Sequence, residues 1–380
     1  MAEFIVFNKD MLSWAMRRAN VTSEQFGALQ SSVDSWLNGA KKPTINQTRE
    51  LSKKLGVPFG YFCLSEPPKD NLNLPDFRTV GGHLVKDISL GLRKTIQHAK
   101  ECQEFLSEFF EENDYPAFRY KNALSVEMDA AQGAEVLRRI LGMRKIVSHP
   151  EENYRDLCSR IERVGVLVQK NRMVLNSSRE QLNPKEFRGF ALFDEYAPLI
   201  FINENDFNKA QIFSLIHEFC HLLLGVTGLS GEPLGSDQDR NKIEKFCDKV
   251  AVEYLVPKEE FETEWHLLRQ SENDLEAAIK EAARKFGVSF WLALRRAQEL
   301  FLISRDFFNH QMTYLLNVAP RQKTTGHPSY TRVQTARMGR VLVDAAVIAA
   351  HAGTISYNEA MRLTLLSQEG LIQRARELRL

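Results

Sequence analysis

The stretch Phe207-Asn-Lys-Ala-Gln-Ile-Phe-Ser-Leu-Ile-His217-Glu218-Phe-Cys-His221-Leu-Leu-Leu224 decides how the rest of this chain is read. Ile212, Phe213, Leu215, Ile216, Phe219, Leu222 and Leu223 recur at helical spacing, and Gly225 supplies a stop, so the segment is predicted to be a helix with a broad apolar surface. Residues four apart on a helix stand one above the other, about 6 Å along the axis, so both imidazoles can reach one ion. A carboxylate beside that ion, here Glu218, can take a proton from a water whose pKa the metal has lowered to about 7. An accidental H-E-x-x-H arises in roughly one or two chains of this length per hundred. Accident is disfavoured further by the flanks, because two histidines and a glutamate on so apolar a helix need partners, and a metal supplies them.

A catalytic zinc takes three protein ligands and keeps one position open. The next strongly helical segment, Asn241 to Pro257, offers Glu244, Asp248 and Glu253. At about 100° per residue Glu244 and Asp248 share a face, while Glu253 lies opposite Glu244. Glu244 as ligand, with Asp248 hydrogen-bonding a ligand imidazole, satisfies that geometry and orients the histidines. Cys247 on the neighbouring flank and His266 beyond Pro257 are the other candidates; a cysteine would suit a closed structural site better.

Upstream, Val164–Gln169, Arg188–Asp194 and Pro198–Asn203 read as short strands, the last two joined by a turn at Glu195-Tyr196-Ala197. They predict a small antiparallel sheet packed on the zinc helix. Arg188–Asp194 is the candidate edge strand for pairing with an extended substrate, with an ordinary half-buried strand as the alternative. Leu90 to Asn113 is predicted to be a long helix, either a spacer or a dimerisation helix, and Ala130 to Arg163 two helices interrupted near His149-Pro150. Past the zinc helices come a helix pair, Asp274–Phe286 and Ser289–Ile303, an exposed loop at Arg321–Thr325, and a helical tail over Tyr330–His351 and Tyr357–Leu380. His327 and Tyr330 are candidates for stabilising a developing oxyanion, set against plain surface placement. Gly225, Gly228, Gly231 and Gly235 make the connection between the two ligand helices a candidate mobile flap.

At the N-terminus, Met11–Ala19, Thr22–Leu29, Val33–Gly39, Pro43-Thr44 and Leu51–Pro58 form short helical blocks separated by Gly, Pro or Ser/Thr caps, the pattern of a compact bundle.

Two resemblances draw these readings together. Pro198-Leu-Ile-Phe-Ile-Asn203, His217 to His221, and Glu244-Lys-Phe-Cys-Asp248-Lys-Val-Ala-Val-Glu-Tyr-Leu-Val-Pro257 resemble the metallopeptidases of the ImmA/IrrE family, whose pattern is a strand, H-E-x-x-H, then E-x-x-A-N/D ending in a hydrophobic pair and Pro. The resemblance implies a minimal zincin fold with His217, His221 and Glu244 as zinc ligands and Glu218 as general base; Cys220 departs from the family's usual Gly. Trp36, Gly39, Pro43-Thr44 and Leu55-Gly-Val-Pro58-Phe-Gly-Tyr61-Phe62 resemble a helix-turn-helix domain of the xenobiotic-response-element (XRE) type. Glu66-Pro-Pro68 and Leu74-Pro-Asp-Phe-Arg-Thr79 look like the linker found when such a domain precedes an ImmA/IrrE peptidase. The turn before Val33 is shorter than the usual pattern, and Leu37 stands where that family often has Glu.

The expected class is α+β, mostly α: a helix-turn-helix-like domain at 1–70, a linker and long helix at 71–125, a zincin-like peptidase domain at 126–310 and a C-terminal helical region at 311–380. A length of 380 residues asks for two or three domains. A net charge of +1 gives no global pull toward nucleic acid or membrane, and across residues 1–70 Lys and Arg exceed Asp and Glu by two. DNA binding, protein docking and simple packing on the peptidase therefore stay open for that domain. Five cysteines without paired spacing suggest a reducing compartment. Met1–Asp10 has no basic region followed by an apolar core, and no apolar run approaches ~20 residues, so a cytoplasmic protein with no membrane partner is expected. The family resemblance implies a zinc endopeptidase whose protein substrate is a helix-turn-helix repressor, cleaved to release mobile-element or stress-response genes. The competing expectations are a DNA-binding regulator with a structural or vestigial zinc site, and a proteolytic toxin restrained by an antitoxin or serving phage defence.

Overall fold

Apolar residues at Leu12, Ala15, Met16 and Ala19 recur three and four apart and bury one face of α1 (Lys9–Ala19). This is the first element of a computed structural model that describes residues 7–19, 21–66, 89–144, 146, 150–206, 208–225, 237–272, 274–317 and 330–380. The described chain falls into two units, the first formed within residues 1–98 and 173–182, the second from Ala99–Arg172 and Asn183–Leu380.

In the first unit a 3-10 segment at Ser23–Leu29, kinked inside by the positive φ of Gly27, runs straight into α2 (Gln30–Leu37). α3 (Ile45–Leu55) begins at a capping box: Gln47 N donates to Thr44 Oγ1, and Thr44 N donates to Gln47 Oε1 at 2.8 Å. It stops at Gly56, whose φ of 62° is left-handed. A second 3-10 turn, Phe59–Cys63, returns Phe62 to a core shared with Leu12, Ala15, Val33, Trp36, Leu51 and Leu55. Asn8 closes the bundle, its N–H donating to the Phe62 carbonyl at 2.9 Å and its amide to the Leu64 carbonyl. The linker-like stretch beginning at Pro67 lies outside the described residues up to 88.

α4 (Leu90–Glu112) starts in this unit and continues in the second. There follow α5 (Ala130–Leu141), α6 (Pro150–Arg163), β1 (Leu167–Asn171), β2 (Gly189–Leu192), β3 (Leu199–Asn203), α7 (Asn208–Leu223) and α8 (Asp237–Leu255). The chain continues through α9 (Lys258–Ser271), α10 (Leu275–Lys285), α11 (Phe290–Glu299), α12 (Arg305–Asn317), α13 (Tyr330–Met338), α14 (Arg340–Ala352), α15 (Tyr357–Thr364) and α16 (Gln368–Leu378). The protein is thus mostly helical with one small three-stranded sheet, an α+β chain.

The sheet corrects one expectation. It is mixed, in the order β1-β3-β2: β2 pairs antiparallel with β3, but β1 pairs parallel with it, Leu167 opposite Leu199 and Asn171 opposite Asn203. The physical reason lies in β3, Leu199-Ile-Phe-Ile-Asn203, whose five residues are all buried. A continuous apolar run suits a central strand better than an edge, so β3 takes the middle, and the long connection from Asn171 to Leu199 is what lets β1 lie parallel to it. α7 packs on β2 and β3 with one side and on α8 with another, and α5 packs on α8. The common core runs through Ile200, Ile202, Ile212, Ile216, Phe219, Val250, Leu255 and Phe261.

The tail expected over 330–351 is two helices. At Gly339, with φ of 86°, the chain breaks beside β1, where an added Cβ would strike the Leu167 side chain. Gln169 of β1 donates to the Met338 carbonyl at the end of α13. The segment over 357–380 divides likewise at Leu365 and Ser367. No helix of the described residues is long and apolar enough to cross a membrane. Residues 226–236, which hold most of the glycine-rich connection, and the loop at 321–325 lie outside the described residues.

Candidate metal centre

On α7 the apolar side chains of Ile212, Leu215, Ile216, Phe219, Leu222 and Leu223 are fully buried. This fixes the helix's rotation and leaves His217, Glu218 and His221 half-buried on the remaining face. The Nε2 atoms of the two histidines stand 3.1 Å apart, a separation set by the four-residue spacing.

α8 is held alongside by Val250, Ala251, Tyr254 and Leu255, and it brings Glu244 across the gap. Glu244 Oε2 lies 3.3 Å from His217 Nε2, and Oε1 lies 3.3 Å from His221 Nε2. Among the described residues these are the three His, Cys, Asp or Glu side chains whose ligand atoms gather within 4.8 Å of one another. A tetrahedral ion with bonds of ~2.0–2.1 Å sets its donors about 3.3 Å apart. The two imidazole nitrogens, 3.1 Å apart, are near that spacing, and each is faced at 3.3 Å by a different oxygen of the Glu244 carboxylate, so the donor set of two imidazoles and one carboxylate fits a divalent metal of the zinc type.

The electrostatics favour a cation at the same place. For Glu244 burial alone would raise the pKa, but His221 and His217 outweigh it and hold the carboxyl far below the ordinary range. Burial would lower the pKa of His217, and it is outweighed by the carboxylates of Asp248 and Glu244, which push it well up. Glu218 is raised by its own burial, against the pull of the two imidazoles. Carboxylates thus converge on the histidines, and a cation, whether a proton or a metal ion, neutralises them.

Asp248, one turn past Glu244, places Oδ1 3.0 Å from His217 Nδ1. The ring N–H direction lies off this line, so the carboxylate comes close to the ring nitrogen without an aligned hydrogen bond. Glu253 is on the far side of α8, where it pairs with Arg296 and accepts from the Lys258 backbone N–H. Cys247 is buried with its thiol pushed up by desolvation, and His266 is exposed on α9; neither joins the group. Arg188 precedes β2 and reaches Asp206, Nε to Oδ2 3.6 Å. Tyr330 donates its hydroxyl to the Leu365 carbonyl. His327 lies outside the described residues.

Sequence reasoning does not single out Gly189, the first residue of β2. A Cβ there would lie 3.0 Å from the Phe201 carbonyl oxygen, 3.1 Å from Ile202 Cδ1 and 3.2 Å from Glu218 Cγ. The strand backbone therefore rests against the Glu218 side chain, an approach open to glycine. Only the isolated glycine inside a strand pattern could signal it.

Residues 161–298 match the family model of Peptidase M78, described as an IrrE N-terminal-like domain. The matched stretch runs from the end of α6 into α11 and contains His217, Glu218, His221, Glu244 and Asp248. It supports a metallopeptidase-type function of the ImmA/IrrE kind for this part of the chain. No curated protein matches the chain.

Proposed function

We propose that the protein is a zinc-dependent endopeptidase that cuts a protein substrate in the cytoplasm. The observation that carries this reading is the triangle of His217, His221 and Glu244 with Glu218 beside it. The three side chains would hold the ion and leave its fourth position open. When bound, zinc supplies a Lewis acid that polarises a peptide carbonyl and lowers the pKa of water. Glu218 then acts as the base: its carboxylate takes a proton from the attacking water and returns it to the leaving amine nitrogen. Asp248 keeps His217 Nδ1 protonated and its Nε2 free to bind. β2 pairs with β3 along one edge, and among the described residues no strand pairs with its other edge, which would take an extended peptide backbone close to Glu218.

The ImmA/IrrE resemblance makes a helix-turn-helix repressor the leading substrate class, and a cytoplasmic location follows from such a substrate. The XRE-like character of the N-terminal bundle is part of the same proposal. α2, in the place of a recognition helix, reads Gln-Ser-Ser-Val-Asp-Ser-Trp-Leu and carries no lysine or arginine. A duplex binder needs a clustered basic footprint, and exposed Lys41 and Lys42 just past α2 supply a small one, so this unit is read as a docking module for protein first, with DNA as the second reading.

The test compares new protein N-termini in cells expressing the wild type with those in cells expressing Glu218→Gln, which removes the base and leaves all three ligands. Cuts confined to the wild type are expected, with a repressor among the cut proteins. Identical profiles from a folded, metal-loaded protein would overturn the peptidase reading.

A further inference from the structure

We infer that Arg295 is a positioning residue for the metal centre, acting on His217 through Asp248. The inference rests on the metal-site reading above and adds a residue from a third helix, α11, to it. Asp248 is a short side chain, about a third exposed at 33 %, and its Oδ1 faces His217 Nδ1 at 3.0 Å. Left to itself, a carboxylate so open to water rotates and exchanges the imidazole for solvent. Its second oxygen, Oδ2, instead lies 3.8 Å from Arg295 Nη2, so the carboxylate is bracketed by an imidazole on one side and a guanidinium on the other.

Arg295 is itself held in place. Glu299, one turn further along α11, lies 3.0 Å from Arg295 Nε, and the guanidinium carbon sits 5.4 Å from the centre of the Trp291 ring one turn back. Four-residue spacing stacks Trp291, Arg295 and Glu299 into one ridge, and the aromatic face and the carboxylate fix the planar cation from two directions. Neighbouring Arg296 is buried and paired with Glu253, and its Nη1 also lies 3.8 Å from Glu299 Oε2, so it braces the carboxylate that holds Arg295. The arrangement keeps Asp248 aimed at Nδ1, which keeps the Nε2 lone pair aimed at the ion. Partners that orient a ligand imidazole typically change metal affinity 10–100-fold, and one contact further out the effect is expected to be about fivefold.

The experiment measures Zn²⁺ affinity of the full chain by competition with a chromophoric chelator, for wild type, Arg295→Ala, Arg295→Lys, Asp248→Ala and the Asp248→Ala/Arg295→Ala double variant. Arg295→Ala is expected to weaken binding about fivefold. Arg295→Lys, which keeps a cation on the ridge and secures the comparison should the alanine variant fold poorly, is expected to recover part of it. In the Asp248→Ala background the Arg295 substitution is expected to change nothing, because its route to His217 has been removed. Wild-type affinity in Arg295→Ala, or an equal loss in both backgrounds, would overturn the inference and leave the metal centre standing. A wild-type chain that binds no Zn²⁺ would overturn both.

Discussion

Glu218 is placed by its neighbour in space as much as by its own helix. Gly189 lets the β2 backbone lie against it, and adding one methyl there pushes on Glu218 Cγ from 3.2 Å while meeting the Phe201 carbonyl at 3.0 Å. Gly189→Ala is expected to leave metal content unchanged and to lower the peptidase rate about tenfold or more, since small misplacements of a reacting group are costly. Steady-state rates beside metal analysis check this; an unchanged rate would show that the strand does not position the base. The pairing of His217 with His221, and of Glu244 with Asp248, is legible from spacing alone, because four residues on a helix fix the relative direction of two side chains. Gly189 and Arg295 are not legible in that way. Each belongs to a different segment, and only the packing of β2 and α11 beside the cluster brings them near.

Between elements, the critical contact is that of α5 with α8, the helix that carries Glu244. Gly133 on α5 faces Val250 on α8 so closely that an added Cβ would come within 2.6 Å of Val250 Cγ2. Gly133→Ala is expected to cost about 1–3 kcal/mol through overpacking and, by displacing α8, to weaken metal binding as well. Denaturant unfolding and the chelator competition check the two effects; stability and affinity both at wild-type values would contradict it. The helices that build this layer are readable from apolar periodicity, within a few residues at each end. α9 and α12 are not: Phe261, Trp265 and Leu268 bury one face of α9, but the charged sequence around them masks the pattern. The direction of β1 is hidden too, since strand periodicity shows which residues turn inward and says nothing of which way a neighbour runs. Helix breaks at Gly339 and Leu365 escape sequence reading for a related reason, being set by what packs against them.

At the scale of the whole molecule the chemistry is concentrated in the second unit. The family match over 161–298 covers the sheet, both ligand helices and most of α11. The first unit has its own small core around Trp36, Leu55 and Phe62, and its charge is close to balanced. The proposed catalysis belongs to the second unit, and the docking of a partner by the first is a proposal beside it. Everything depends on α7 and α8 together building a three-ligand metal centre. The most direct measurement is native mass spectrometry of the purified full chain, wild type against His217→Ala, His221→Ala and Glu244→Ala, each loaded with Zn²⁺ and exchanged into chelator-free volatile buffer. The expected result is one zinc ion per wild-type chain and a marked loss of it in every variant. A wild-type chain without metal, or variants that keep the ion as tightly as wild type, would contradict a metal centre built by these two helices.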